Sequence, residues 1–280
     1  MTKRLAILWH EREDLEWARR KYAVCRLADI WEGDGIEVVH LLGPRRFAPA
    51  DALLVHVDLS VVPDAYLELA ARYPRALNAE LRDIRKSSFS EQRLTGTSSY
   101  SGKVIVKTEL NARGRPELRL AGSRSRRRIA RLASKFIATG RYQSNYPVYD
   151  SFADVPSKFL RRDRRFIVEK FLPEVEDDLY RIRYINILGD RVTGIRLASE
   201  SPMVKGFNHA GIERLEIGPE LHELRKRLGL DFAKIDCVVR DGEIVLLDIN
   251  KTPGGSRLFD EPMFVDMLRY RAAGIHAYLD

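Results

Sequence analysis

The stretch DFAKIDCVVRDGEIVLLDINKTPGG, residues 231–255, carries the strongest structural signal in the chain. An Asp-Gly pair separates two apolar runs in it, which is typical of a β-hairpin. On the second predicted strand, Glu243 to Asn250, the side chains of Asp248 and Asn250 are two residues apart and therefore leave the same face. Oxygen ligands on one face suit Mg2+, which proteins usually hold with few carboxylates plus substrate phosphates.

Asp236, on the first strand, can supply a third oxygen ligand in only one register. A two-residue turn at 241–242 pairs Asp236 with Leu247 and sends its side chain to the wrong face. A three-residue loop at 240–242, with its glycine left-handed, places Asp236 opposite Leu246 and diagonal to the other carboxylate. A metal site that includes Asp236 therefore requires the loop of odd length.

An ordinary hairpin with a polar outer face is the alternative interpretation. Against it, Asp236 and Asp248 interrupt the runs IDCVV and VLLDIN, which are apolar on both faces as in a buried strand. An unpaired buried carboxylate is costly. The pattern therefore favours a metal ion or a basic partner at these two positions.

The composition limits the classes of partner and compartment. The chain of 280 residues has a net charge of +8, which favours an anionic partner such as a nucleotide, an acidic peptide or a nucleic acid. Two cysteines indicate neither a disulfide framework nor a Cys-rich metal site. The first residues contain too short an apolar run for a signal peptide, and no run reaches the length of a membrane span. A cytoplasmic location is therefore the expectation.

The first 80 residues alternate between predicted strands and helices in the order β-α-β-β-α-β. This order predicts a small α/β domain with a mainly parallel sheet. The predicted strands are 4–9, 36–43, 50–58 and a short fourth strand within 75–80, and the predicted helices are 11–34 and 64–74.

A change of composition over residues 79–100 predicts a boundary or linker, and several further elements follow it. The segment NARGRPE, 111–117, is predicted to be a loop before a return strand at ELRL. Residues 123–139 predict a basic amphipathic helix, whose arginines form either a solvated face or a surface for an acidic macromolecule or phosphate. The remaining predicted elements are strands at 102–108 and 166–174, a hairpin at 179–200, and helices at 218–229 and about 260–273.

Groups suited to a nucleotide occur in order along this second part of the chain. Lys107 ends one strand, Glu169 lies on the next, an acidic loop at 174–178 follows, and a hairpin with Arg181, Arg183 and Arg196 precedes the metal hairpin. Lysine and arginine can offset phosphate charge, and carboxylates can hold Mg2+. The chain has neither a Walker-type motif nor G-x-G-x-x-G, so a P-loop or Rossmann site is not predicted.

Three stretches of the chain resemble the ATP-grasp superfamily, most closely its carboxylate–amine ligase branch, which includes the ligases that add glutamate to a ribosomal protein. They are GKVIVKT (102–108), FIVEKFLPE with LYRIRYINILGDR (166–191), and DFAKIDCVVRDGEIVLLDINKTPG (231–254). The resemblance implies a fold of class α/β plus α+β, with ATP bound between two α+β subdomains. The expected domains are an N-terminal α/β domain (1–80), a central lid subdomain (81–170) and a C-terminal subdomain with the metal site (171–280).

The resemblance also assigns roles to individual residues. The implied Mg2+ ligands are Asp236, Asp248 and Asn250, and the implied catalytic residues facing the acyl phosphate are Arg183 and Arg196. The implied ATP-binding residues are Lys86, Lys107, Glu169, Lys170, Phe171, Leu172 and Glu176, with Glu176 or a neighbour contacting the ribose.

The sequence departs from the family pattern in three places. The last metal strand usually carries Glu-x-Asn and here carries Asp248-x-Asn250. The phosphate-covering loop, normally rich in glycine, is here 111–115 with one glycine and two arginines, which suggests contacts from side chains. The acidic loop is longer than in the glutamate ligases, so the ribose-binding residue is not determined.

The resemblance implies a ligase that uses ATP with one or two Mg2+ ions, for which Mn2+ could substitute. A substrate carboxylate would attack the γ-phosphate of ATP, and an amine would displace phosphate from the resulting acyl phosphate. A phosphotransferase that phosphorylates an alcohol and a non-catalytic nucleotide-binding protein are the alternatives. The expected partners are ATP and a small carboxylate or peptide, while nucleic acid and membrane are not expected. A homodimer is compatible with the sequence, which does not identify the substrate.

Overall fold

The computed structural model describes residues 2–96, 98–122, 146–160, 165–206, 208–254 and 261–280. The predicted basic helix at 123–139 lies outside these residues, as does most of the loop after Pro253. Three β-sheets organise the described chain. Within these ranges, no helix is long and apolar enough to cross a membrane.

The first sheet is parallel, with strand order β2-β1-β3-β4, as the alternating pattern predicted. The predicted helix 11–34 is two helices, because Tyr22 is extended between them and forms an isolated bridge with Gly254. The elements are β1 (Arg4–Trp9), α1 (Leu15–Lys21), α2 (Ala23–Gly33), β2 (Glu37–Leu42), β3 (Ala52–His56), α3 (Asp64–Ala70) and β4 (Ala76–Leu77).

The second sheet is antiparallel, with order β5-β8-β6-β7. The prediction of a loop and return strand at 111–120 is wrong: a 3-10 turn at Asn111–Gly114 leads into a helix, α5. Pro116 favours this helix because it lies in the first turn, where its missing N–H costs nothing. The elements are α4 (Lys86–Phe89), β5 (Arg93–Leu94), β6 (Val104–Thr108), α5 (Arg115–Leu120), β7 (Val148–Tyr149) and β8 (Phe166–Lys170).

The third sheet has the order β12-β11-β10-β13-β14, with β9 paired to β10. It contains both predicted hairpins, and the predicted helices 218–229 and 260–273 follow as α6 and α7. The elements are β9 (Glu174–Glu176), β10 (Leu179–Leu188), β11 (Arg191–Ser199), β12 (Gly211–Leu215), α6 (Pro219–Arg227), β13 (Phe232–Arg240), β14 (Glu243–Asn250), α7 (Pro262–Ala272) and α8 (His276–Leu279).

The β13–β14 hairpin closes with a two-residue turn, so the prediction of an odd-length loop is wrong. Arg240 pairs with Glu243, and both turn residues have positive φ, 54° at Asp241 and 83° at Gly242. The extra residue is Leu247 of β14. It lies opposite the step from Asp236 to Cys237 on β13, where the register shifts. This bulge brings Asp236 directly opposite Asp248, whereas the odd-length loop was predicted to place it opposite Leu246 and diagonal to Asp248.

The C-terminal helices share the apolar core of the first sheet. Leu268 and Ile275 belong to the same buried cluster as Leu5. The Trp31 indole N–H donates to the carbonyl oxygen of Ala272 at 2.9 Å. Chain segments distant in sequence therefore form one core, and the predicted domain boundaries remain predictions.

Candidate nucleotide and metal site

A cavity of about 440 Å³ lies between the second and third sheets. Seven of the predicted ATP-binding and metal-binding residues line it, and they come from α4, from both sheets and from the segment that joins the sheets. These residues are Lys86, Lys107, Lys170, Phe171, Leu172, Asp236 and Asp248. The structure thus brings together groups separated by more than 160 positions along the chain.

Two aspartates face each other on one side of this cavity, each with its own lysine. The Lys86 Nζ lies 2.5 Å from Asp248 Oδ1, and the Lys234 Nζ lies 2.5 Å from Asp236 Oδ1. Burial raises the pKa of Asp236, and the charge of Asp248 raises it further, although Lys234 opposes both effects. The carboxylates therefore repel each other across the strand pair, and a cation between them would relieve this repulsion.

The donor set fits a hard divalent cation. Two carboxylates on one face of a cavity match Mg2+, which takes one or two protein carboxylates and completes its shell with waters and substrate phosphates. Within the described ranges, no three His, Cys, Asp or Glu side chains converge as a metal cluster. The third predicted ligand, Asn250, is not among the residues that line the cavity, and its Oδ1 accepts a hydrogen bond from the Thr252 N–H at 2.9 Å.

Lys107 is held by a buried ion pair beneath the cavity. Its Nζ lies 2.6 Å from Glu169 Oε2 and donates to the Leu247 carbonyl oxygen at 3.2 Å. The side chains of Lys107 and Glu169 are only 8% and 3% exposed. Glu169 therefore does not line the cavity with Lys170, Phe171 and Leu172, and its observed contact is with the lysine.

The structure does not bring the two predicted catalytic arginines to the cavity. The Arg183 guanidinium donates to Glu174 at 2.7 Å, and the Arg196 guanidinium lies 2.9 Å from Glu176. Glu176, the predicted ribose contact, is half-exposed and is likewise absent from the cavity wall. Arg181 lines the cavity in their place. The roles of Arg183, Arg196 and Glu176 remain predictions.

The sequence reasoning missed Lys234. This residue lies two positions before Asp236 on β13 and so shares its face. Its Nζ lies 3.8 Å from the centroid of the Tyr184 ring, and Tyr184 pairs with Asp236 across the sheet. The sequence FAKIDC could have indicated this residue, because a lysine two positions before the aspartate lies on the same face of the strand.

The segment predicted to cover the phosphates lies beside the cavity. Ala112, Arg113 and Gly114 all have left-handed backbone conformations. The Arg113 guanidinium lies 5.4 Å from the centroid of the Tyr146 ring, which lines the cavity. No residue of this segment lines the cavity itself, and its role in covering the phosphates remains a prediction.

The fold is similar to those of solved ATP-grasp structures. The macrocyclase MdnC from Microcystis aeruginosa MRC, crystallised with the precursor peptide MdnA, superposes with a TM-score of 0.53 at 12% identity, covering 96% of this chain and 98% of that one. A RimK domain protein of ATP-grasp type from Sphaerobacter thermophilus has a TM-score of 0.49 at 13% identity, and D-alanine–D-alanine ligase from Bacillus anthracis has 0.45 at 12%. The alignments with these two structures cover 99% of both chains.

No family model matches the sequence, and no curated protein matches it. The three sheets nevertheless form a fold similar to that of MdnC over nearly the whole chain, in agreement with the α/β plus α+β class predicted from the sequence. At 12% identity, the likeness to MdnC concerns the fold alone and assigns no activity to this chain.

Proposed function

We propose that this protein is an ATP-dependent ligase that activates a substrate carboxylate as an acyl phosphate for attack by an amine, releasing ADP and phosphate. The observation that carries the proposal is the pairing of Asp236 with Asp248 in a cavity that also receives Lys86 and Lys107. Opposed carboxylates and lysines in one cavity suit a polyanion bound with a divalent cation, as expected for ATP.

The chain's own residues divide the work between two ends of the cavity. Asp236 and Asp248 would hold Mg2+ or Mn2+, a cation that offsets phosphate charge when bound. Lys86, on α4, and Lys107, on β6 of the second sheet, add positive charge. At the other end, the segment 170–172 offers backbone groups and apolar surface to the base.

Lys234 adds positive charge next to the proposed metal site, although, like Arg183 and Arg196, it is ion-paired and does not line the cavity. Its ammonium lies beside Asp236, whereas both arginines are occupied by Glu174 and Glu176 outside the cavity wall. Catalysis in this scheme is positioning and electrostatic stabilisation, with no protein nucleophile. The carboxylate oxygen attacks the γ-phosphorus with ADP leaving, and the amine then attacks the acyl carbon with phosphate leaving.

Binding of Mg–ATP tests the site directly. Asp236→Asn and Asp248→Asn should each abolish the magnesium-dependent part of ATP affinity in calorimetry. Glu223→Gln is the control, because Glu223 forms an exposed ion pair with Lys226 on α6. A non-catalytic nucleotide protein would bind ATP equally well with and without these aspartates, and that result would overturn the assignment.

Product analysis tests the reaction. The protein is incubated with Mg–ATP and pools of carboxylates and amines, and ADP, phosphate and product mass are followed together. Peptides belong in the pools, since MdnC was crystallised with a precursor peptide. Equimolar ADP and phosphate, together with a product whose mass equals the carboxylate plus the amine minus one water, supports ligation. ADP with a phosphorylated product and no free phosphate would instead identify a phosphotransferase.

A further inference from the structure

Asn250 is oriented by groups outside its own hairpin. Thr252, two residues beyond it, donates its backbone N–H to Asn250 Oδ1 at 2.9 Å. The Thr252 hydroxyl lies 2.7 Å from Asp58 Oδ1 and 3.3 Å from Asn250 Oδ1. A hydroxyl has one proton to donate, and the shorter distance assigns it to the Asp58 carboxylate.

Asp58 is a fixed acceptor at the carboxyl end of the first sheet. It is 6% exposed, and its Oδ2 accepts hydrogen bonds from the Tyr22 hydroxyl at 2.5 Å, Lys21 Nζ at 3.0 Å and an Arg119 nitrogen at 3.2 Å. Burial raises the pKa of Asp58, but the Lys21 charge and the hydrogen bonds from Tyr22 and Thr252 outweigh it, so the pKa lies below its ordinary value. Asp58 is therefore ionised at neutral pH and accepts the Thr252 proton.

The chain on either side of Thr252 is held by the same region. Tyr22 bridges to Gly254, and the Ala23 N–H donates to the Pro253 carbonyl oxygen at 2.9 Å. Thr252 itself is buried, 4% exposed. The segment after β14 is thus attached to the break between α1 and α2 and to Asp58, which follows β3 of the first sheet.

This arrangement fixes which atom of the Asn250 amide is available to a ligand. With Oδ1 held by the Thr252 N–H, the oxygen retains a second lone pair, whereas a flipped amide would present its NH2 group to Thr252. An NH2 group cannot bind a cation. Partners of this kind, which hold a ligand residue without touching the metal, commonly control metal affinity.

We propose that Asp58 and Thr252 are positioning residues for the metal–nucleotide site, acting through Asn250. Asn250 does not line the cavity in this structure, but it shares the face of Asp248 on β14 and pairs with Lys234, whose ammonium lies 2.5 Å from Asp236. The proposal rests on the proposed function for the presence of Mg–ATP, and it adds a requirement that the first sheet imposes on the cavity. Neither Asp58 nor Thr252 lines that cavity. Their removal should therefore change the magnesium requirement of nucleotide binding while the nucleotide contacts stay in place.

The test compares Thr252→Val, which removes only the hydroxyl proton donor, with Thr252→Ser, which keeps it. The magnesium concentration that gives half-maximal ATP binding is measured by calorimetry at fixed ATP. We expect an increase of about 10-fold or more for Thr252→Val and no change for Thr252→Ser. Thr193→Val is the matched control, because Thr193 is 4% exposed and its hydroxyl has no partner within the described residues.

Asp58→Asn and Thr252→Ala provide second readings if the valine variant does not fold, and circular dichroism establishes folding in each case. Both should raise the magnesium requirement and leave magnesium-free ATP affinity unchanged. A magnesium requirement equal to wild type in any folded variant that lacks the hydroxyl would overturn the positioning role. Absence of ATP binding by the wild-type protein is a different outcome, which would overturn the proposed function itself.

Discussion

Glu169→Met tests the buried ion pair beneath the cavity. The Glu169 carboxylate lies 2.6 Å from Lys107 Nζ, and neither side chain is more than 8% exposed. Methionine has a similar length but removes the negative charge and the acceptor. Among the described residues, the hydrogen bond that the Lys107 ammonium then keeps is to the Leu247 carbonyl oxygen, at 3.2 Å. Breaking a buried pair by removing one partner costs about 3–5 kcal/mol of unfolding free energy, because the other charge stays buried without compensation.

The nucleotide should reverse part of this loss. If Lys107 binds ATP phosphates, bound Mg–ATP restores a negative charge near the ammonium. The increase in stability on adding Mg–ATP should then be larger in Glu169→Met than in wild type, by about 1.4 kcal/mol for each tenfold gain in affinity. The double variant Lys107→Met/Glu169→Met should recover stability without nucleotide, since an apolar pair can replace a buried ion pair, but it should bind ATP more weakly.

Urea denaturation with and without Mg–ATP measures these differences. Asp150→Asn is the control, because Asp150 and Lys103 form an exposed pair 3.5 Å apart, expected to contribute less than about 1 kcal/mol. A loss in Glu169→Met as small as in this control would refute the reasoning about burial. If Mg–ATP stabilises Glu169→Met no more than it stabilises wild type, Lys107 does not bind the phosphates.

Two further predictions concern the packing around the site. His56 lies buried against Trp9 and Tyr22, and burial lowers its pKa to about 3. The unfolded side chain has a pKa near 6.5, so this contribution to stability is complete above about pH 6.5 and is lost as the pH falls towards 3. Relative to His56→Leu, wild type should lose about 2 kcal/mol of unfolding free energy between pH 6.5 and 5, and parallel pH profiles would contradict this. A Cβ at Gly274 would lie 2.1 Å from the Leu188 carbonyl oxygen, so Gly274→Ala should lower the unfolding free energy by at least about 1–3 kcal/mol. In Gly33→Ala the Cβ meets nothing within 4 Å, and the unfolding free energy should rise by up to about 1 kcal/mol. Thermal melting measures both glycine variants. Equal melting temperatures for the two glycine variants would exclude the close contact.

The bounds of several strands and the groups they carry could be read from local pattern. The strand Glu243–Asn250 was predicted with its observed ends, and β1 and the parallel order of the first sheet follow the pattern as well. Alternating and continuous apolar runs report burial along one strand, and this information is local. The positions of Lys107 on β6, Asp236 on β13 and Asp248 on β14 follow from the same local pattern.

Local pattern could not predict features that depend on distant partners. The helix over 11–34 is broken at Tyr22 because its backbone pairs with Gly254, more than 230 residues away. The segment 111–120 forms a helix whose Arg119 binds Glu13, also far away in sequence. In both cases the competing conformations differ little in local energy, and tertiary contacts select between them.

The hairpin at 231–255 shows where this division lies. Its strands, its Asp-Gly turn and the common face of Asp248 and Asn250 follow from residue order, because side-chain direction alternates along a strand. The register of the two strands does not follow from residue order, because the same sequence can place the extra residue either in the turn or within a strand. The fold places it in β14, opposite the step from Asp236 to Cys237. The orientation of the arginines away from the cavity likewise depends on tertiary structure, because Glu174 and Glu176 reach them only when β9 pairs with β10. The contact of Thr252 with Asp58, 194 residues away, also forms only in the packed chain.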